Sequence, residues 1–165
     1  MTDTVIRTER LTLRPFTVVC AQAMVDGNPG DADWAPGWPA PDDVDVAKMY
    51  LGNPAADDLG RSFGPYEIVW TETGTVIGGI GLFGPPDESG TTEVGYGVAA
   101  SFQGRGIATE AVLGVVTGLA GVAGLTTVIA STDHDNIASQ KVLTKAGFGY
   151  THQDEQKLYY TRSLG

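Results

Sequence analysis

The sequence predicts a single α/β domain over residues 1–165, built on a mixed, mostly antiparallel and strongly twisted sheet of six or seven strands with helices on both faces. Two observations predict it. β-prone runs over 66–71 and 76–83 flank Glu72-Thr73-Gly74, a hairpin signal, and runs over 150–156 and 158–162 make a last hairpin. Between them, a strand over 93–98 feeds a glycine-bearing turn, a helix over 107–120 and a strand over 126–131. A helical crossover of that length makes the two strands it joins parallel.

The other elements follow in order. Residues 6–14, with Leu11 and Leu13 two apart, read as a strand that Pro15 ends. Thr17 caps a short helix carrying Val18, Val19, Ala21, Ala23 and Met24. Cys20 in that helix reads as a small core residue, since no histidine stands near it in sequence. Residues 28–41 form a Gly-, Pro- and Asp-rich loop holding Trp34 and Trp38. Two readings fit these tryptophans: aromatics closing over a core edge, or the wall of an acceptor site. Asp42 and Asp43 open a helix running to about Leu51, acids in its first turn as the dipole favours. Gly78, Gly79 and Gly81 leave their strand poor in side chains and predict close backbone approach. Gly114 and Gly118 in the crossover helix, each costing ~1 kcal/mol against alanine, predict tight packing onto the sheet. Asn136 opens a helix that reaches Ala146 and ends on Gly147.

Composition narrows the function. The net charge of −10 argues against nucleic acid or an anionic membrane as a partner held by a basic surface. Eight aspartates against one lysine crowd residues 26–58, either as a solvated acidic face or as a field drawing in a cationic amine. A single cysteine excludes an internal disulfide, and two histidines leave little for zinc. His134 between Asp133 and Asp135 lacks the following Gly and Glu of a calcium loop, so no metal is expected. There is no apolar N-terminal run, and the longest small-residue apolar stretch, 112–123, falls short of the ~20 residues a membrane span takes. A cytoplasmic protein is the expectation, as a monomer or a homodimer.

The strand–turn–helix over 93–120 is a place to hold phosphate, because free N–H groups and the positive end of a helix dipole point the same way. It is not a P-loop, since the chain has no Gly-Lys pair, and it lacks the third glycine of a dinucleotide fingerprint, where Thr109 stands. Gln103-Gly104-Arg105-Gly106-Ile107-Ala108 instead fits Q/R-x-x-G-x-G/A. Downstream comes Asn136-x-x-Ser139-x-x-Val142-Leu143-x-Lys145-x-Gly147-Phe148. In this order and spacing the two motifs resemble the acetyl-CoA motifs of the GNAT superfamily of N-acetyltransferases. Ser139 and the N-terminal Ile6-Arg7-Thr8-Glu9-Arg10-Leu11-Thr12-Leu13-Arg14-Pro15 resemble the branch holding the ribosomal-protein alanine acetyltransferases.

The resemblance implies an acetyl-CoA-dependent N-acetyltransferase acting on a primary amine, a protein N-terminus or a small molecule; a non-catalytic acyl-CoA-binding module of the same fold is the alternative. It implies a splay between the fourth and fifth strands, with pantetheine against the strand ending at Val98. Gln103, Gly104, Arg105, Gly106, Ile107 and Ala108 would hold the pyrophosphate, and Asn136 would reach the cofactor as well as cap its helix. Leu143 stands where many members carry a tyrosine that protonates the leaving thiolate, and leucine cannot do so. Ser139, one helical turn from Asn136, takes that role by resemblance; the plainer reading is a serine filling a helix–sheet contact. Glu93 is the candidate base, with Glu155 second, against a reading of Glu93 as a cross-strand ion-pair partner. In that branch the Trp34–Trp38 segment lines the acceptor side.

Overall fold

The computed structural model describes residues 5–164. In chain order the elements are β1 (Ile6–Arg7), β2 (Leu11–Pro15), α1 (Val18–Asp26), α2 (Pro41–Gly52), α3 (Asp58–Ser62), β3 (Pro65–Trp70), β4 (Thr75–Leu82), β5 (Thr91–Val98), α4 (Ile107–Gly118), β6 (Thr127–Asp133), α5 (Ile137–Lys145), β7 (Gly149–Gln153) and β8 (Lys157–Ser163). The strands make one sheet in the order β1-β2-β3-β4-β5-β6-β8-β7. All neighbours are antiparallel except β5 and β6, the two joined by the α4 crossover.

Among the described residues eight strands form rather than six or seven, and the extra one lies toward the N-terminus. The stretch expected as one strand is a hairpin, turning at Thr8-Glu9-Arg10. Within the turn the Thr8 N–H donates to the Leu11 carbonyl at 2.9 Å and the Leu11 N–H to Thr8 Oγ1 at 3.1 Å. Its main anchor is distant in sequence: Glu110 in the first turn of α4 accepts from the Thr8 hydroxyl at 2.5 Å, the Arg10 N–H at 2.8 Å and Arg10 Nε at 2.7 Å. The short helix α3, opened by the Asp57 carboxylate on the Gly60 N–H, was also not expected from the sequence.

Two layers of helix cover the sheet. On one face α4 packs through Ile107, Ala111, Val112, Val115 and Val116, all buried. A Cβ on Gly114 would come 2.7 Å from the Thr8 methyl and one on Gly118 3.5 Å from Ile6, so the small residues of α4 bring it close against the first hairpin. The opposite face carries the Trp38 indole, against which a Cβ on Gly79 would press at 3.0 Å, and the Asp43 carboxylate of α2, above Gly97. Leu11, Leu13, Phe16, Phe63, Tyr66, Ile68 and Ile77 are among the core residues between these layers.

The feature that positions the site is a fork. β5 runs with β4 through five register positions, from Leu82↔Val94 to Gly78↔Val98. It runs with β6 through only three, Thr91↔Thr127 to Glu93↔Ile129. Beyond Glu93 the strands part, while β6 stays with β8 over all seven of its residues. The splay expected between the strands over 93–98 and 126–131 is therefore present, between β5 and β6.

Candidate active site

The turn from β5 to α4 ends at the wide side of the fork. Gly104 and Gly106 adopt φ +79° and +76°, a left-handed conformation that side chains disfavour. Gly106 is the N-cap of α4 and provides no side-chain cap, so the first N–H groups of the helix have no partner within it. Ile107 is 2 % exposed and anchors the helix start in the core. Gln103 is engaged within the protein: its Nε2 donates to the Val98 carbonyl at 2.9 Å, tying the turn to the end of β5. Arg105 lies 4.8 Å above the Phe102 ring, with Nη2 donating to the Ser101 carbonyl at 3.4 Å. Arg10 is a second cation here that the sequence did not single out. Its Nη2 lies 3.7 Å from where a Cβ on Gly106 would stand, and Glu110 accepts from its main-chain N–H and its Nε.

Strand alternation assigns the sides of β5. The Ala99 N–H donates to the Ile77 carbonyl and the Phe83 N–H to the Glu93 carbonyl, so odd residues address β4. The main-chain groups of Tyr96 and Val98 therefore turn to the side β6 has left. Side chains alternate too: Tyr96 and Val98 share the face of α4 and α5, and Glu93, Gly95 and Gly97 the face of α2.

On the α5 side, three groups form a chain. Asn136 Oδ1 accepts from the Ser139 N–H at 3.1 Å, the capping bond expected for an asparagine at this position. Ser139 Oγ stands 2.7 Å from the Tyr96 hydroxyl. Burial pushes the Tyr96 phenol above its ordinary range, with Tyr160 adding to the push and Ser139 drawing it back. Leu143 is fully buried and points into the core. The Tyr96 hydroxyl is not legible in the sequence, because its partner is 43 residues away.

On the other face, Glu93 occupies the last paired rung before the fork opens. Burial raises its carboxyl above the ordinary carboxylate range, opposed by the Ser131 hydroxyl and the charge of Lys157. Further along β5, a Cβ on Gly95 would lie 3.2 Å from the Phe83 ring, and one on Gly97 3.8 Å from Asp43 Oδ1. This face thus carries a half-buried carboxylate, an aromatic ring and a second carboxylate over a bare glycine track. Glu155 sits exposed at the tip of the β7–β8 turn, whose shape Asp154 sets by accepting from the N–H groups of Gln156 and Lys157.

The two tryptophans separate. Trp38 is 6 % exposed and packs on Gly79, its indole N–H without a partner among the described residues. Trp34 is half-buried and bridges to Val76 at the start of β4. The loop holding them is tied to the segment before the glycine turn by the Ser101 hydroxyl, which donates to the Pro36 carbonyl at 3.0 Å.

The profile of the acetyltransferase (GNAT) domain matches residues 10–149. The chain belongs to the GNAT acetyltransferase family. It is 27% identical over 119 residues, 72% of this chain and 71% of the other, to the uncharacterized N-acetyltransferase YjdG of Bacillus subtilis (strain 168). An acetyltransferase from Agrobacterium tumefaciens str. C58 superposes with a TM-score of 0.68 at 26% identity, over 98% of this chain and 95% of that one. A ribosomal L7/L12 alpha-N-protein acetyltransferase, RimL, in complex with coenzyme A superposes with a TM-score of 0.73 at 20% identity, over 97% and 98% of the two chains.

As a GNAT acetyltransferase the protein uses acetyl-CoA as its acyl donor. Among the described residues no group of three or more His, Cys, Asp or Glu side chains is arranged to hold a metal ion. His134, flanked by Asp133 and Asp135, instead pairs with the Asp154 carbonyl at 2.8 Å. No described helix is long and apolar enough to cross a membrane.

Proposed function

We propose that the protein transfers the acetyl group of acetyl-CoA to a primary amine, by direct attack of the amine on the thioester lying in the fork between β5 and β6. The observation that carries this reading is the placement of Glu93 at the mouth of the fork on one face, with the Ser139 hydroxyl on the other. The amine arrives over the Glu93 face as an ammonium and must first lose a proton. Glu93 accepts it directly or through water, helped by a burial-raised affinity for protons. The amine nitrogen then bonds to the thioester carbonyl carbon, while the main-chain N–H groups of β5 that face the fork polarise the carbonyl oxygen. As the C–S bond breaks, its electron pair goes to sulfur, and the Ser139 hydroxyl donates a hydrogen bond to the forming thiolate. The second proton of the former ammonium leaves with the product side of the reaction, ending on the thiol or in solvent.

The backbone of the turn from Gln103 to Ala108 and the start of α4 hold the pyrophosphate, with Arg105 and Arg10 beside it. The acid-rich stretch over 26–58, with Asp43 above Gly97, favours a cationic acceptor. That the RimL neighbour modifies a protein N-terminus makes an N-terminal peptide one class to test, beside small polyamines and amino-sugar amines. The test is release of free CoA, measured against a panel of peptides and small amines, with acetyl-CoA affinity measured in parallel. Turnover with at least one cationic primary amine is expected. Tight acetyl-CoA binding with no turnover across the panel would overturn the reading in favour of a binding module.

A further inference from the structure

We propose that Tyr96 is a positioning residue for acetyl transfer: its phenol donates to Ser139 Oγ and so leaves the Ser139 hydrogen free to point at the departing sulfur. The inference rests on the role proposed above for Ser139.

A serine hydroxyl has one hydrogen to give and lone pairs to receive others. In a helix it commonly gives that hydrogen to a carbonyl of the preceding turn. Thr117 and Thr144 do this here, donating to the carbonyls of Leu113 at 2.6 Å and Gln140 at 3.0 Å. A hydroxyl spent in that way has nothing for a thiolate. Ser139 is held differently. Its main-chain N–H is fixed on Asn136 Oδ1 at 3.1 Å, and its Oγ is met from across the fork by the Tyr96 hydroxyl at 2.7 Å.

The alternative partner of the phenol is the Ser139 carbonyl, at 3.4 Å, a much longer contact. Either hydroxyl can donate across the 2.7 Å contact; the proposal gives the donor role to the phenol, whose other acceptor lies 3.4 Å away, so that the serine hydrogen turns away from Tyr96. β5 holds the ring in place, since Tyr96 lies in the register of β4 opposite Ile80. Its own main chain faces the fork where the thioester lies. In this proposal Tyr96 acts through Ser139 and not on the sulfur directly. With Ser139 Oγ between it and the sulfur, what the phenol supplies is a fixed hydrogen bond to the serine.

The experiment compares the parent, Tyr96→Phe, Ser139→Ala and the double variant by single-turnover acetyl transfer to the best amine, with CoA affinity and melting temperature measured on each. Tyr96→Phe removes one oxygen and keeps the ring. Its rate should fall about 5- to 30-fold, what loss of one positioning hydrogen bond supports, with the CoA dissociation constant within about twofold of the parent's. The double variant should be no slower than Ser139→Ala, because the tyrosine acts only through the serine.

A Tyr96→Phe rate within twofold of the parent, or losses that multiply in the double variant, overturns the proposal. A full rate in Ser139→Ala removes the role of Ser139 and this inference with it. Absence of transfer by the parent itself overturns the acetyltransferase reading, an outcome separate from either. As a second variant, 3-fluorotyrosine at position 96 keeps both ring and hydroxyl and strengthens the donor. Its rate should match or exceed the parent's, and a rate as low as that of Tyr96→Phe counts against the proposal.

Discussion

Glu93 and Ser139 lie on opposite faces of the sheet, at the place where β5 and β6 stop pairing. A carboxylate and a hydroxyl placed so would be walled off from each other in a closed sheet, with a strand between them. In a forked sheet they flank one opening, and a proton acceptor and a thiolate stabiliser can serve the two ends of a single displacement.

Replacing Glu93 with Gln should impair transfer most at low pH, and the defect should shrink as pH rises and the free amine accumulates without help. A second readout follows from burial. Because folding raises the carboxyl of Glu93, the stability tied to its protonated form is full below the ordinary carboxylate range and is lost as pH rises through the raised value. Glu93→Gln should therefore melt higher than the parent at neutral pH and equally at acid pH. A lower melting temperature at neutral pH would mean that the Ser131 hydrogen bond and the Lys157 charge outweigh the cost of burying the carboxylate.

Ser139→Ala should leave CoA binding nearly unchanged and lower kcat by about 10- to 1000-fold, since a hydrogen bond to sulfur strengthens as charge develops there. Single-turnover rates decide this, because product release can otherwise mask the chemistry. Full activity in that assay would leave the serine as helix packing alone.

Gly106→Val tests the turn. At φ +76° a β-branched residue is strained, and its side chain would stand between the backbone N–H groups and a phosphate, close to Arg10. The CoA dissociation constant should rise at least tenfold, ~1.4 kcal/mol. Titration calorimetry on a variant shown to be folded gives the number, and unchanged affinity would remove the turn from the cofactor site.

Glu110→Gln should destabilise the fold by about 1–3 kcal/mol, because it weakens three hydrogen bonds that hold the first hairpin to α4. Burial pushes this carboxyl up, but the bonds from Thr8 and Arg10 and the Arg10 charge outweigh it and hold it below the ordinary range. The stability it supplies is present above that range and lost as pH falls through the lowered value. Denaturant titrations of parent and variant should differ at pH 7 and converge in acid.

What could be read from the sequence was what is written contiguously. The glycine turn, the Asn136 cap and the Leu143 substitution each lie within a few neighbouring residues, and the crossover fixed which two strands run parallel. The first hairpin was hidden because Thr8-Glu9-Arg10 has neither glycine nor proline, and the carboxylate that bends it belongs to residue 110. Tyr96 and Arg10 were hidden in the same way, their meaning depending on Ser139 and Gly106, far along the chain. The Trp-containing loop stays open to local reasoning for another reason. Core edge and acceptor wall both fit the two tryptophans, and nothing local separates them: a bare Gly79 admits the indole of Trp38 into the core, while Trp34 stays at the start of β4.

The three-rung pairing of β5 with β6 makes this sheet two wings sharing a narrow seam. Residues up to Val98 build one wing and residues from Thr127 onward the other, each with its own continuous ladder. The exposed Gly121–Gly124 connection joins the wings in the chain, and beyond the three rungs what holds them to each other is the single hydrophobic core they share, to which Leu13 and Val112 belong on one side and Leu143 and Phe148 on the other.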